Sequence, residues 1–201
     1  GPIAWFSMDR VEGKELRERA AAHADPAARG ALVARLATTL LETLAGVHQR
    51  GFVHRDLKPG NVLVDGTDRV WLLDFGVARG WRSPTEALTT PGTVVGTLPY
   101  MAPEQVTGQV TGPEVDLFAA GLLLHEAIAG PREPARVPQE WLARQCLERL
   151  PPLAVCAPGT PPGLSAIVSA MLAFSPADRP TDVVGVAAFT AVYPATGAPA
   201  G

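Results

Sequence analysis

At 201 residues with 47% hydrophobic side chains and a mean hydropathy of +0.13, the chain can bury one sizeable core and is not a disordered tract. A net charge of −3 with a pI near 5.8 excludes a global attraction to nucleic acid or to an acidic membrane. Cys146 and Cys156 fit neither a disulfide framework nor a zinc pattern, and they read as buried or idle thiols in a reducing compartment.

No unbroken apolar run approaches the ~20 residues of a membrane span, and no charged-then-apolar leader opens the chain, so a soluble, cytoplasmic protein is expected. Gly and Pro, 20 of each, imply many loops between real elements. Starting at Gly1-Pro2 rather than at Met suggests a fragment or a protease scar.

Residues 5–11, "WFSMDRV", read as the end of a strand. A short polar helix is expected from Lys14 to Ala22. Asp25-Pro26 then supplies an N-cap and a first-turn proline, and Leu32, Leu36, Leu40 and Leu44 recur at helical spacing up to a stop at Gly51. Two apolar runs, Val62–Val64 and Val70–Leu73, flank Asp65-Gly66-Thr67-Asp68 and predict a β-hairpin.

Residues 77–99 lack periodicity and are expected to form a long Thr-, Gly- and Pro-rich loop, functional or mobile rather than idle. Helices are expected over 113–129, apolar nearly all round and therefore buried, over 138–150, over 163–174, and from Thr181 onward. The last residues, "PATGAPAG", read as a tail or linker. Many helices and one hairpin make an α+β, mainly α, layout.

The hairpin has a geometric consequence of its own. Asn61 precedes its first strand and Asp74 follows its second, so antiparallel pairing brings both to one open end. Asp56 lies on the loop entering that end, with Lys58 beside it. Amide and carboxylate oxygens suit a hard divalent cation with few protein ligands, as Mg2+ prefers. A further carboxylate that holds no metal can accept a proton. A metal-dependent hydrolase is a poor alternative, because no histidine pairs up as ligand or base.

"HRDLKPGN" at 54–61, "DFG" at 74–76 and "APE" at 102–104 closely resemble the catalytic loop, metal-binding turn and activation-segment end of protein kinases. From residue 5 to residue 192 the chain resembles the large, C-terminal lobe of a eukaryotic-like serine/threonine protein kinase, a helical bundle with a catalytic β-hairpin. "DLKP" is the serine/threonine form, and "PYMAPEQ" with the Ala/Pro-rich composition leans towards a bacterial member.

The resemblance implies ATP and Mg2+ as cofactors and a Ser/Thr-containing protein as substrate. Asp56 would orient the substrate hydroxyl and take its proton, Asn61 and Asp74 would hold magnesium, and Lys58 would stabilise the transferring phosphoryl group. Thr97 resembles the threonine bonded to the catalytic Asp and Lys, with a phosphorylation site or a plain loop hydroxyl as alternatives. Leu63 would pack under adenine. "FSMDRVEG" resembles the hinge between lobes, with Met8 as gatekeeper, Asp9 and Val11 on adenine, and Glu15 near the ribose.

Arg55, next to the catalytic Asp, implies control by phosphate on the loop, with Thr89, Thr90 and Thr93 as candidates, Thr89 first and Thr90 next. Glu104 would pair with Arg179, Asp116 would brace the catalytic loop, and His54 and Phe75 would stack between the lobes. His23, His48 and His125 carry no motif.

No G-x-G-x-x-G and no V-A-I-K occurs in the chain. Residues 1–12 therefore read as hinge and sheet end, 13–192 as the large lobe with its activation segment at 74–104, and 193–201 as tail. A small lobe is expected upstream in the same native chain, and the docking face left for it should be open and apolar near His54, Phe75 and Leu63. The competing reading is a stand-alone, non-catalytic kinase-like scaffold.

Overall fold

Three short antiparallel strands, and helices gathered around one buried helix, make up the computed structural model, which describes residues 10–74, 98–109 and 111–180. Strand β1 (Lys14–Glu15) pairs with β2 (Val62–Val64), and β2 with β3 (Val70–Leu72), in the order β1-β2-β3. The register places Glu15 across from Leu63, and Leu63 across from Trp71.

Asp65 organises the hairpin turn. Its Oδ1 accepts the Thr67 N–H at 2.8 Å, the Thr67 hydroxyl at 2.7 Å and the Arg69 N–H at 3.1 Å, while Oδ2 accepts the Trp71 indole N–H at 2.9 Å. These donors, led by the Thr67 hydroxyl, hold its carboxyl well below the usual carboxylate range.

Helix α1 (Leu16–Ala21) starts later than the sequence suggests, because Lys14 and Glu15 are taken up by pairing to the hairpin edge. That demand is non-local and overrides propensity. Helix α2 (Pro26–Gln49) begins as expected: the Asp25 carboxylate accepts the Ala28 N–H at 2.8 Å. It ends where Gly51, at φ +80°, donates its N–H to His48 O at 2.9 Å. A side chain at 51 would be strained there.

Leu32, Leu36, Leu40 and Leu44 line the buried face of α2, each contributing about 1.5–3 kcal/mol of transfer free energy. By length and composition α2 could also cross a bilayer, but 56% of its most apolar window is buried inside the protein. A count of unbroken apolar residues overlooks such a helix, since its polar residues are interspersed.

Further along lie α3 (Pro103–Val106), α4 (Glu114–Ala129), α5 (Pro138–Leu147), α6 (Leu153–Cys156) and α7 (Pro162–Met171). Every residue of α4 from Val115 to Ile128 is buried, and it packs against α1, α2 and α7. A Cβ on Gly121 would sit 3.1 Å from Met171 Cβ and 3.1 Å from Leu172 Cδ2, so the bare backbone is what lets α4 and α7 approach. α3 and α6 are too short to announce themselves by periodicity.

α5 ends at Leu147, short of residue 150, as Pro151 and Pro152 disfavour helix in the residues before them. Both cysteines are free, but Cys156 is exposed rather than buried, since it closes the short α6 at the surface. The expected strand end over 5–9 and the helix from Thr181 lie outside the described residues.

Candidate active site

The loop leading to the hairpin is held from below by one buried acid. Asp116, in the first turn of α4, accepts the His54 N–H and the Arg55 N–H at 2.8 Å each, through Oδ2 and Oδ1. His48 Nε2 lies 2.8 Å from the same Oδ2. Two consecutive N–H groups can point at one carboxylate because Arg55 adopts a left-handed φ of 64°, a conformation costing about 1 kcal/mol for a residue with a Cβ. The helix N-terminus adds partial positive charge around Asp116.

His54 is fully buried and fixes the loop at its other edge. Its Nε2 lies 2.8 Å from Leu73 O, and its Nδ1 accepts the Asp56 N–H at 3.3 Å. Those two partners select the tautomer that carries hydrogen on Nε2.

Asp56 then presents its carboxylate upward. Oδ2 accepts from Lys58 Nζ at 2.8 Å and from Asn61 Nδ2 at 3.2 Å, and the Asn61 amide also donates to Asp56 O at 2.8 Å. The side chains of Asp56 and Lys58 keep 19% and 27% of their surface open to solvent, whereas Asn61 is buried. Asn61 spends its amide nitrogen on Asp56, so its oxygen faces away from that residue. Leu73 N–H donates to Asn61 O at 2.9 Å, which sets the end of β3 beside Asn61.

Asp74 follows directly, exposed and left-handed at φ 51°. Aspartate tolerates that region better than most residues. Asn61 and Asp74 thus stand at one end of the hairpin with oxygen donors of the kind a small hard cation takes. Among the described residues no three His, Cys, Asp or Glu side chains gather into a complete metal cage. Mg2+ usually takes only one or two protein carboxylates and fills its other positions with water and phosphate oxygens.

A second constellation holds the segment that follows Thr97. Glu104 and Arg179 form a buried two-pronged pair, Nη1–Oε1 at 2.5 Å and Nη2–Oε2 at 2.9 Å. Arg179 also donates to the carbonyls of Ala173, Glu114 and Phe174, at 2.8, 2.9 and 3.2 Å. The Gln105 amide accepts the Ala102 N–H at 2.9 Å and donates to Arg55 O at 3.3 Å, linking α3 to the catalytic-type loop.

Tyr100 O–H donates to Glu126 Oε2 at 2.7 Å, and Arg132 Nε donates to Glu126 Oε1 at 2.8 Å. Burial, with Glu126 adjacent, pushes the Tyr100 phenol well above its ordinary value.

Residues 3–188 match the family model described as the protein kinase domain. The chain belongs to the protein kinase family. It is 34% identical over 179 residues to the serine/threonine-protein kinase PknD of Mycobacterium tuberculosis, covering 87% of this chain and 26% of that protein. It is 33% identical over 189 residues to PknL of the same organism, covering 94% and 46%. PknB of Mycolicibacterium smegmatis is 31% identical over 134 residues, covering 65% and 20%. The chain therefore spans between a fifth and a half of the length of these curated relatives.

In this protein kinase domain, Asp56, Lys58, Asn61 and Asp74 are brought to one place. Leu63 and Glu15 face each other across β2 and β1, with Val11 half-buried just before them. Met8, Asp9, Phe75, Thr89, Thr90 and Thr97 lie outside the described residues. Sequence reasoning passed over His48, Glu126, Arg132 and Gln145. One signal was legible: acids and a histidine inside an apolar helix, as Asp116, His125 and Glu126 are, require buried partners.

Proposed function

We propose that this chain is the catalytic and magnesium-binding lobe of a protein serine/threonine kinase that moves the γ-phosphoryl group of ATP to a Ser or Thr hydroxyl of a protein. The observation that carries this reading is the Asp56 carboxylate, partly open to solvent and held by Lys58 Nζ and Asn61 Nδ2 at the mouth of the hairpin. The substrate oxygen forms its bond to the γ-phosphorus, the bond from that phosphorus to the β,γ-bridging oxygen breaks, and the hydroxyl proton passes to Asp56.

Lys58, already beside Asp56, offsets negative charge on the group in flight. Asn61 and Asp74 would hold Mg2+, which neutralises charge on the nucleotide phosphates. Met8, Asp9, Val11, Glu15 and Leu63 form the adenine and ribose side of the site in this reading, with Thr97 beside Asp56. Phosphate on Thr89 or Thr90 would pair with the exposed Arg55 and order the segment before Thr97.

The phosphate clamp of a complete kinase belongs to a small lobe, which we place upstream in the native chain. A cytoplasmic location, where ATP and protein hydroxyls meet, completes the proposal. A non-catalytic scaffold is not favoured, since the relatives are named serine/threonine kinases and Asp56, Asn61 and Asp74 are all present.

Incubating the full-length protein with ATP, Mg2+ and a Ser/Thr-rich protein tests this. Phosphate should appear on Ser or Thr, and Asp56→Asn should remove it while ATP still raises Tm. Full-length wild-type protein that transfers no phosphate under these conditions would overturn the reading.

A further inference from the structure

Beyond the chemistry at Asp56, the described residues enclose a second cation besides Arg179, and this one is tied to the segment before α3. Arg132 follows α4 and keeps 12% of its side-chain surface exposed. Its guanidinium donates to Glu126 Oε1 at 2.8 Å, to Gln145 Oε1 at 3.3 Å and to Pro99 O. It also lies over the Tyr100 ring at 5.5 Å and over the Trp141 ring at 5.1 Å. Pairing a buried cation needs one good acid and satisfied donors. Here two of the contacts, to Pro99 O and to the Tyr100 ring, reach a single stretch of chain.

That stretch is the 3-10 turn Leu98–Tyr100 and the residue after it. Pro99 O accepts from Arg132 and from Gln145 Nε2 at 2.6 Å. Tyr100 is bonded through its hydroxyl to Glu126. Met101 O accepts from Gln145 Nε2 at 2.8 Å. Three successive residues are thereby tied to the end of α4, to the turn after it and to α5.

On its other side the stretch runs into α3, whose Gln105 is bonded to Arg55 O, the residue before Asp56. Segment 98–105 therefore borders the approach by which a protein hydroxyl reaches Asp56.

We infer that Arg132 is the positioning residue for segment 98–101, fixing the surface against which a protein substrate lies while its hydroxyl is presented to Asp56. The inference rests on the kinase reading above. Arg132 touches neither nucleotide nor reacting atoms. It acts by holding the Pro99 carbonyl and by keeping the Glu126 carboxylate aligned for Tyr100. Such a residue should affect the encounter with the protein substrate and leave the nucleotide side unchanged.

The test uses the full-length protein with ATP and a phosphorylatable peptide. Arg132→Ala is expected to raise the KM for peptide about tenfold, with the KM for ATP within about twofold of wild type, the scale of one lost charged hydrogen bond. Arg132→Lys keeps the charge opposite Glu126 but lacks the fork, so it should recover Tm more fully than it recovers peptide KM.

Hydrogen exchange of amides in 98–101 should accelerate in Arg132→Ala, with α7 unchanged. If Arg132→Ala does not fold, Gln145→Ala removes two carbonyl bonds, leaves the Arg132–Glu126 pair in place, and should show the same peptide-selective rise. Unchanged peptide KM and exchange, or a fall in Tm and kcat with both KM values rising alike, would overturn the inference. A wild-type protein that transfers no phosphate overturns the kinase reading itself and is recognised before any variant is compared.

Discussion

The two ends of α4 do opposite kinds of holding. At its N-terminal end Asp116 is an acceptor, and it grips the loop carrying Asp56 by two backbone N–H groups. At its C-terminal end Glu126 recruits donors, and Arg132 with Gln145 grips segment 98–101 by its carbonyls. The two acids stand ten positions apart on the helix, a spacing of about 15 Å. One buried rod, packed against α1, α2 and α7, thus holds both the loop proposed for proton transfer and the segment proposed for substrate.

If that division holds, variants at the two ends fail differently. The largest effect belongs to Asp56→Asn in the full-length kinase, where kcat should fall about 10³-fold with Tm within about 2 °C of wild type. A collapse of Tm would mean that Asp56 is structural and would erase the contrast with Asp116.

Glu126→Gln leaves the Arg132 cation buried without its acid and should cost about 3–5 kcal/mol in a denaturant titration. Where folded, it should raise the KM for peptide more than it lowers kcat. Asp116→Ala orphans two buried N–H groups, at about 2–4 kcal/mol. It should lower kcat about 10²-fold through misplacement of Asp56. A peptide-KM effect from Asp116→Ala, or a pure kcat effect from Glu126→Gln, would break the comparison.

His48→Ala removes one contact to Asp116 and should cost about 1 kcal/mol, read as a small drop in Tm.

The smallest effect concerns His125, next to Glu126. Burial depresses its imidazole pKa below the ordinary value, so the unfolded chain takes up this proton first as pH falls through about 6.5. Stability from this group is complete above that pH and is lost below it. Tm should decline between pH 7 and pH 5, and His125→Gln should flatten part of the slope. Identical slopes in wild type and variant would remove His125 from the account.

Much of this could be read before any coordinates. The hairpin was legible because two short apolar runs flank a turn, and the fate of Asn61 and Asp74 follows from antiparallel pairing alone. Asp25-Pro26 and Gly51 marked α2 because caps are local chemistry. Arg132 and Gln145 were not legible. Their partners at 99–101 lie tens of residues away, on a turn without periodicity, and nothing near "PREP" distinguishes a buried guanidinium from a surface one. β1 was missed for a similar reason, since its two residues become a strand only by meeting the hairpin edge.

Arg55 and Asp74, both left-handed, bear on how this sequence can change. Glycine would relieve the backbone at each position and, by conformation alone, stabilise the fold. A variant library ranked by thermal survival should therefore enrich glycine at 55 and 74. The same library ranked by phosphate transfer should discard it, because the side chains given up there are the ones proposed to receive regulatory phosphate and to hold the metal. Comparing the two rankings position by position would separate residues retained for the shape of the molecule from residues retained for its work.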